Sequence, residues 1–189
     1  LGVPGLKIVM PSTPYDAKGL MLAAIADNNP VLVFEHRWCM RNNGVVPEGM
    51  YKVPIGKGVY RRKGNDLTIV GTSHSIELAT QAVDELAKSG ITVDVIDLRT
   101  IKPMDENIIL ESVQKTGKIL VVDTGWEMGG ICAEIGCRVA EKGFSHLKAP
   151  VRRMGLPDIP TPAGYTLEQL YYPDVKKFEQ VIREMVEKN

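Results

Sequence analysis

Short segments that carry apolar residues alternate along this chain with stretches of helical spacing. The segments lie at residues 6–10, 31–34, 67–71, 93–96, 119–122 and 151–155, and those at 31–34 and 119–122 are continuously apolar. Continuous apolar runs are typical of strands that are covered on both faces. Between them the apolar positions recur at helical spacing, most clearly at Ile76, Ala79, Val83 and Leu86. This alternation predicts an α/β protein with a mostly parallel open sheet and helices on both faces.

The first 34 residues predict one strand–helix–strand unit. Thr13 is suited to cap the helix, with Pro14 at its first position and Asp16 three residues after the cap. The helical pattern stops at Asn28-Asn29-Pro30. A single unit of this kind cannot bury its own apolar faces. We therefore interpret residues 1–34 as the trailing fragment of a second α/β domain, and the initial Leu1 fits a piece of a longer protein.

Periodicity is lost over residues 35–65, where glycine, proline and asparagine punctuate the chain, which predicts an interdomain linker. Residues 66–189 then repeat the strand–helix alternation and predict one complete domain. Within it, Ser73 or Ser75 is expected to cap the first helix and Asp105 the second, while Thr166 with Gln169 predicts a capping box near the end.

Composition excludes several classes of function. The chain has 189 residues with 23 Lys and Arg against 23 Asp and Glu, so its formal net charge of zero favours neither nucleic acid nor an anionic membrane as partner. No apolar run approaches the roughly 18 residues of a membrane span. The odd number of cysteines, 3, without Cys-x-x-Cys spacing indicates buried thiols in a reducing compartment.

The turn after the strand at residues 67–71 is a candidate anion site. Ligands of open parallel sheets lie beyond the carboxyl ends of the strands. Thr72, Ser73 and Ser75 stand there at the start of a predicted helix, where hydroxyls and free amides can bind an anion. The alternative is that the hydroxyls only cap the helix.

Other chemistry has less support in the sequence. His36, His74 and His146 lie far apart along the chain and none has a second histidine three or four residues away, so no metal site is expected from spacing. The glycines of residues 125–130 match neither dinucleotide nor Walker spacing. A Ser-His-Asp site is disfavoured as well, because no Gly-x-Ser-x-Gly elbow is present.

The most specific motif is the loop at residues 97–105. Asp97 ends a buried strand, Arg99 can donate a fork of hydrogen bonds to carboxylates or carbonyls, and Pro103 stiffens the turn before Asp105. A well-capped structural loop would explain these residues equally well.

This motif resembles the signature of the transketolase C-terminal domain. The wider pattern is similar to the beta subunit of the decarboxylating component of 2-oxo acid dehydrogenase complexes of the pyruvate, branched-chain or acetoin type. The matching segments, in order, are residues 4–9, 16–20, 27–30, 34–36, 53–57, 129–130 and 133–135.

The resemblance implies a thiamine diphosphate enzyme, with Mg²⁺ accompanying the cofactor, in which alpha and beta subunits form a heterotetramer. Residues 1–34 would then end the pyrimidine-binding domain, and residues 66–189 would serve the beta–beta homodimer contact and docking of the acyltransferase core. The family's catalytic glutamate and histidine are expected N-terminal to Leu1, so the chain alone is expected to be inactive and to hold no cofactor by itself. The implied location is the cytoplasm, or the mitochondrial matrix in a eukaryote.

The resemblance also implies a structural potassium ion at the end of the first helix. The matching positions are Ala24, Ile25, Asp27 and Asn29. A helix end offers free carbonyl oxygens that can hold such an ion. A plain helix stop is the alternative.

Two other functions remain open at this point. The chain is also compatible with the tail of a transketolase or a deoxyxylulose-phosphate synthase, or with a stand-alone assembly module that binds an anion at residues 72–75. The identity of the 2-oxo acid is not determined by these residues.

Overall fold

Two β-sheets organise residues 2–187, the part of the chain that this computed structural model describes. The strands are β1 (Lys7–Val9), β2 (Val31–Val33), β3 (Val59–Arg62), β4 (Leu67–Gly71), β5 (Val93–Asp97), β6 (Thr100–Lys102), β7 (Ile119–Trp126) and β8 (Arg152–Leu156). The helices are α1 (Pro14–Ile25), α2 (Ser73–Ala87), α3 (Glu106–Thr116), α4 (Ile131–Lys142), α5 (Tyr165–Tyr171) and α6 (Val175–Glu187).

The larger sheet has the strand order β3-β5-β4-β7-β8, and all its pairings are parallel except that of the edge strand β3. Helices α2 and α6 cover one face, where Leu67, Ile76 and Phe178 share one apolar core. Helices α3 and α4 cover the other face through residues such as Ile109 and Ile135. The predicted open parallel sheet with helices on both faces is confirmed.

The smaller sheet has the order β2-β1-β6. Strands β1 and β2 are parallel, as expected of a strand–helix–strand unit, and β6 joins them antiparallel. Strand β6 comes from the loop at residues 97–105, which the sequence did not predict to pair with the first unit. The stretch at residues 35–65, predicted as a linker, likewise contributes β3 to the larger sheet. Each sheet therefore includes one strand, β6 or β3, from a segment without clear periodicity.

The N-terminal cap predicted for α1 is present, whereas those of α2 and α3 differ from the prediction. Thr13 caps α1 by accepting the amide of Asp16 at 3.2 Å, as predicted. Helix α2 begins one residue earlier than a Ser73 cap would allow, because its N-cap is Thr72, whose side chain makes no capping bond. Asp105 is the N-cap of α3, but its carboxylate accepts the Gly58 amide at 3.0 Å and does not bond to the helix.

The predicted capping box at Thr166 is wrong. Helix α5 starts at Tyr165 and has Gly164 as its N-cap, with no side-chain bond to the helix amides. The N-cap is therefore two residues before the predicted position, and Thr166 lies inside the first turn of the helix.

The first unit leaves apolar side chains exposed. Val9, Val33 and Leu20 pack together between β1, β2 and α1. Phe34, which directly follows β2, is 49% exposed, and Ile25, the last residue of α1, is 74% exposed. The apolar residues of the first unit are thus only partly buried within residues 2–187.

The thiols differ from the prediction that they are all buried. Cys132 is buried, Cys39 is half-buried and Cys137 is exposed on α4, where its sulfur lies 3.7 Å from Glu141 Oε1. No helix among the described residues combines the length and the apolar character that crossing a bilayer requires.

Candidate functional site

Two neighbouring cavities lie between the sheets, at the carboxyl ends of β1, β2 and β4. Their volumes are about 250 and 430 Å³. Both are lined by Ser12, Thr13, Pro14 and Asn42. Ligands of open α/β sheets are expected at this end of the strands. The contact zone between the sheets is therefore the candidate site.

Buried ion pairs join the sheets beside these cavities. We call Ser12, Asp16, Arg61, Asp97 and Arg99 the inter-sheet junction. Arg61 of β3 donates to Asp97 at 3.1 Å through Nε and at 2.7 Å through Nη2, and Nη2 also contacts Asp16. Arg99 reaches the other oxygen of Asp16 at 3.1 Å, and Ser12 donates its hydroxyl to Asp97. Both carboxylates are fully buried.

The fork predicted for Arg99 is confirmed. Its Nε and Nη2 donate to the carbonyl of Lys57 at 3.0 and 2.8 Å while Nη1 reaches Asp16. Arg99 has a φ of +57°, which is uncommon for a residue other than glycine. The hydrogen bond from its amide to Asp97 Oδ1 at 3.0 Å holds this conformation.

The environment moves the two carboxyl pKa values in opposite directions. Burial raises the pKa of Asp97, and the Arg61 guanidinium and the Ser12 hydroxyl only partly oppose it. Burial also acts to raise the pKa of Asp16, but Arg61, Thr13 and Arg99 together outweigh it and lower the pKa. The pKa of Arg61 is raised: burial alone would lower it, and the two carboxylates overcome that effect.

Sequence reasoning found only part of the junction. It singled out Asp97 and Arg99, and it treated Asp16 as a capping residue alone. Arg61 was missed because it lies in the stretch predicted to be a linker. The run Val59-Tyr60 before it, β-branched then aromatic, was the available signal for an edge strand.

The structure places the three candidate anion-binding hydroxyls against protein atoms. Ser75 donates to the carbonyl of Thr72 at 2.7 Å, and the Thr72 hydroxyl donates to the sulfur of Met10 at 3.7 Å. Ser73 has a φ of +54° and is fully buried, with its oxygen 3.7 Å from Cys39 Sγ. An anion at this turn would have to bind backbone amides. The anion site stays a prediction.

Two histidines and a cysteine that are distant in the sequence come together at the edge of the smaller cavity. Ligand atoms of His36, Cys39 and His74 all lie within 4.8 Å of one another, and each residue is half-buried. The imidazole rings of His36 and His74 stack with centroids 5.1 Å apart. His36 and His74 are far apart along the chain but are neighbours in space, because the chain after β2 folds back over the first turn of α2.

Neighbouring groups affect this cluster. Burial lowers the pKa of His36, His74 lowers it further, and Glu77 opposes both. Burial raises the pKa of the Cys39 thiol. Trp38 covers the cluster edge-on, with its ring centroid 4.8 Å from that of His74.

The predicted potassium positions lie at the end of α1. The carbonyl of Ala24 accepts the amide of Asp27 at 3.2 Å. The Asp27 carboxylate pairs with Lys7 Nζ at 2.5 Å and accepts the amide of Asn29 at 2.9 Å. The hydrogen bond from Lys7, followed by those from Asn29, lowers the pKa of Asp27 to about 2. With Lys7 on this carboxylate, a potassium ion would depend on backbone carbonyls, including that of Ile25.

Two protein families have sequence models that match the chain. Residues 56–178 match the transketolase C-terminal domain, and residues 2–42 match the transketolase pyrimidine-binding domain. The first match covers most of the larger sheet and its helices, including the loop at residues 97–105. The second covers the smaller strand–helix–strand unit.

Curated relatives share about two fifths of their residues with the chain. The 2-oxoisovalerate dehydrogenase subunit beta of Bacillus subtilis is 44% identical over 97% of this chain and 57% of its own length. The pyruvate dehydrogenase E1 component subunit beta of Acholeplasma laidlawii is 44% identical over 97% of this chain and 56% of its own. The chain therefore spans about half the length of the curated relatives it matches.

A third relative is named for a different activity. The acetoin:2,6-dichlorophenolindophenol oxidoreductase subunit beta of Bacillus subtilis is 40% identical over 97% of this chain and 54% of its own. Among solved structures, a split-gene transketolase described as an inactive beta4 tetramer superimposes with a TM-score of 0.78 at 20% identity, covering 98% of this chain and 59% of that one. At this identity the superposition shows the fold alone.

Proposed function

Because the chain belongs to the transketolase C-terminal domain family, we propose that it is the C-terminal part of the beta subunit of a thiamine diphosphate-dependent 2-oxo acid dehydrogenase. The observation that carries the proposal is its identity of 44% over 97% of the chain to a 2-oxoisovalerate dehydrogenase beta subunit and to a pyruvate dehydrogenase beta subunit. The match to the pyrimidine-binding domain at residues 2–42 supports thiamine diphosphate as the cofactor of the family in general.

The residues of the inter-sheet junction do not fit the diphosphate group of that cofactor. A diphosphate needs unneutralised cations, a bound Mg²⁺ or free amide donors. Arg61 and Arg99 are both engaged by buried carboxylates. The hydroxyls at residues 72–75 already have protein partners. We therefore assign no step of the reaction to this chain, and we expect the catalytic groups, the cofactor and its Mg²⁺ to be held elsewhere in the enzyme.

The role of this part is proposed to be assembly. Residues 1–34 would complete a pyrimidine-binding domain, residues 35–65 would connect it to the rest, and residues 66–189 would contact other subunits. The exposed apolar residues Phe34 at 49% and Ile25 at 74% support packing of the first unit against further polypeptide. Near α5, Tyr165 is 76%, Leu167 60% and Leu170 82% exposed, which supports a protein contact there.

The proposed partners are an alpha subunit, a second beta subunit and an acyltransferase core. We propose that two alpha and two beta subunits form a heterotetramer. The buried ion pairs of the junction, which join the two sheets, would hold this part together within it.

Reconstitution tests the proposal. The chain is joined to a complete pyrimidine-binding domain, combined with an alpha subunit, and supplied with thiamine diphosphate, Mg²⁺ and an artificial electron acceptor. We expect decarboxylation of a 2-oxo acid from a panel that includes pyruvate and 2-oxoisovalerate, and none from the chain alone. An assembled, cofactor-loaded complex without turnover of any 2-oxo acid would refute the proposal.

A transketolase or a deoxyxylulose-phosphate synthase is the second candidate. The superposition on a split-gene transketolase over 98% of the chain favours it at the level of the fold. Turnover of sugar phosphates by the same reconstituted protein, without turnover of 2-oxo acids, would support this alternative.

A third candidate function is tested by measuring whether the chain alone binds anions. A stand-alone assembly module with an anion site at Thr72, Ser73 and Ser75 would bind phosphates or nucleotides in calorimetry. No heat of binding across such a panel would remove it.

The potassium ion at the end of α1 is a further part of the proposal. We expect the thermal midpoint of the chain to be higher in KCl than in NaCl at equal ionic strength, because an ion bound only by the folded state stabilises it. Lys7→Met should enlarge the difference by freeing the Asp27 carboxylate. Identical midpoints in both salts would remove the potassium ion from the proposal.

A further inference from the structure

We propose that His36, Cys39 and His74 form a binding site for a zinc ion. Two of these residues lie in the segment after β2, and the third lies in the first turn of α2. Their ligand atoms are within 4.8 Å of one another. Imidazole nitrogen and thiolate sulfur are the donors that Zn²⁺ prefers, and three protein ligands with one open position are typical of zinc sites that keep a solvent molecule.

The present separations are close to those of a bound ion. With zinc–nitrogen and zinc–sulfur bonds of about 2.1 and 2.3 Å, tetrahedral ligands lie about 3.5 Å apart, so no separation within the cluster has to shorten by more than about 1.3 Å. The stacked rings of His36 and His74, 15° from parallel, have to turn about their side-chain torsions to direct both lone pairs at one point. Met40 next to Cys39 is 65% exposed, so the segment that carries two of the ligands is not sealed in the core.

Hydrogen bonds behind His74 already orient its imidazole ring. His74 Nδ1 lies 2.9 Å from Glu77 Oε2, and Asn42 Nδ2 donates to the same oxygen at 3.0 Å. When Nδ1 carries the proton and donates it to Glu77, Nε2 keeps the lone pair that a metal requires. A carboxylate behind a histidine in this way fixes its ring and increases its basicity as a ligand.

The other two ligands have weaker contacts to give up. His36 Nδ1 accepts the amide of Trp38 at 3.3 Å, which is long for a hydrogen bond. The Cys39 sulfur has the Ser73 hydroxyl at 3.7 Å. On binding, the thiol releases its proton to solvent and coordinates as the thiolate. Neither existing contact is strong enough to oppose coordination.

The cavity supplies both an entry path and the fourth position. His36 and Cys39 line the cavity of about 250 Å³, together with the exposed residue Glu35. A metal held at its wall would keep one coordination position directed into that space, where solvent can enter. The site is therefore proposed to be open, with three protein ligands.

Titration with Co²⁺, which takes up zinc geometry and absorbs light, tests the site directly. The chain is first freed of metal with a chelator. We expect one Co²⁺ per chain, thiolate-to-metal absorption in the near ultraviolet, and displacement of both signals by one equivalent of Zn²⁺. The experiment uses the chain alone and does not depend on the proposed enzyme class.

Substitutions assign the ligands. Cys39→Ser should abolish the thiolate absorption. His36→Asn or His74→Gln should weaken binding more than Glu77→Gln, which removes the carboxylate behind His74 and for which a loss of about 10–100-fold is expected. The matched controls are Cys137→Ser and His146→Gln, which replace an exposed cysteine and the remaining histidine. Both controls should bind with unchanged affinity.

Three results would overturn the proposed zinc site. Absence of one-to-one binding, thiolate absorption that survives in Cys39→Ser, or equal weakening by the control substitutions would each overturn the proposal. Circular dichroism without metal reports whether each variant folds. If one ligand variant does not fold, the two remaining ligand substitutions carry the same test.

Discussion

Replacing Arg61 by methionine tests the inter-sheet junction most directly. Arg61 is the residue that contacts both buried carboxylates through its guanidinium Nη2. Without it, the partners that Asp97 keeps among residues 2–187 are the Ser12 hydroxyl and the Arg99 amide. Asp16 keeps Arg99 at 3.1 Å and the Thr13 hydroxyl at 2.7 Å. Methionine preserves most of the aliphatic volume, so the change removes charge more than packing.

The expected magnitude follows from burial. Removing one partner of a buried ion pair costs about 3–5 kcal/mol, since the remaining charge is left without compensation. The neighbouring residue offers a matched control, because Arg62 pairs with Asp84 at the surface, where the two side chains are 46% and 47% exposed. Exposed pairs contribute about 0–1 kcal/mol. We therefore expect Arg61→Met to lower the free energy of unfolding by several times the effect of Arg62→Met.

Chemical denaturation of the two variants measures this difference. The midpoint should fall with an unchanged dependence of the unfolding free energy on denaturant, which would show that stability changed and compactness did not. The measurement is then repeated from neutral pH down to the ordinary Asp pKa of 3.8.

The pH dependence has a defined sign. Burial already raises the pKa of Asp97, and loss of Arg61 removes the largest opposing influence. A carboxyl whose pKa is higher in the folded state adds stability below its unfolded value of 3.8, and this is lost as pH rises through the folded pKa. Asp16, whose pKa is lowered in the parent, contributes stability above 3.8 that is lost as pH falls through its folded pKa. Both effects make the deficit of Arg61→Met largest at neutral pH and smaller in acid.

Two results would refute this reasoning. Equal losses for Arg61→Met and Arg62→Met would mean that burial does not set the cost. A deficit that stays constant with pH would mean that the lost stability comes from packing and not from the uncompensated carboxylate.

Two further predictions concern the core and the thiols. Phe178→Ala should lower the free energy of unfolding by about 3–5 kcal/mol, because its ring is 1% exposed. Phe144→Ala is the control and should change the free energy of unfolding little, because that ring is 74% exposed. Urea denaturation compares the two variants, and similar losses would contradict the packing of α6. In the native protein iodoacetamide should modify Cys137 well before Cys132, because burial raises the pKa of Cys132 to about 12 while the exposed Cys137 has its pKa raised chiefly by Glu141. Peptide mapping by mass spectrometry follows both thiols, and equal rates would contradict the buried position of Cys132.

Periodicity along the chain predicted the elements whose apolar residues face one core. Strand β4 is fully buried along its length and matches the predicted run at residues 67–71. Helix α2 buries the predicted stripe, including Ile76 and Leu86. These predictions succeeded because the side-chain period of a strand or a helix is a local property that adjacent residues reveal.

The sequence by itself thus determined the α/β class, the main strands and helices, and the residues of the loop at 97–105. Only the tertiary structure decided that Arg61 lies between Asp16 and Asp97 and that His36, Cys39 and His74 meet. These contacts join residues that are distant along the chain, and their geometry depends on how the two sheets pack. No local pattern encodes that packing, because each residue's own neighbours are equally compatible with a solvated strand end or a linker.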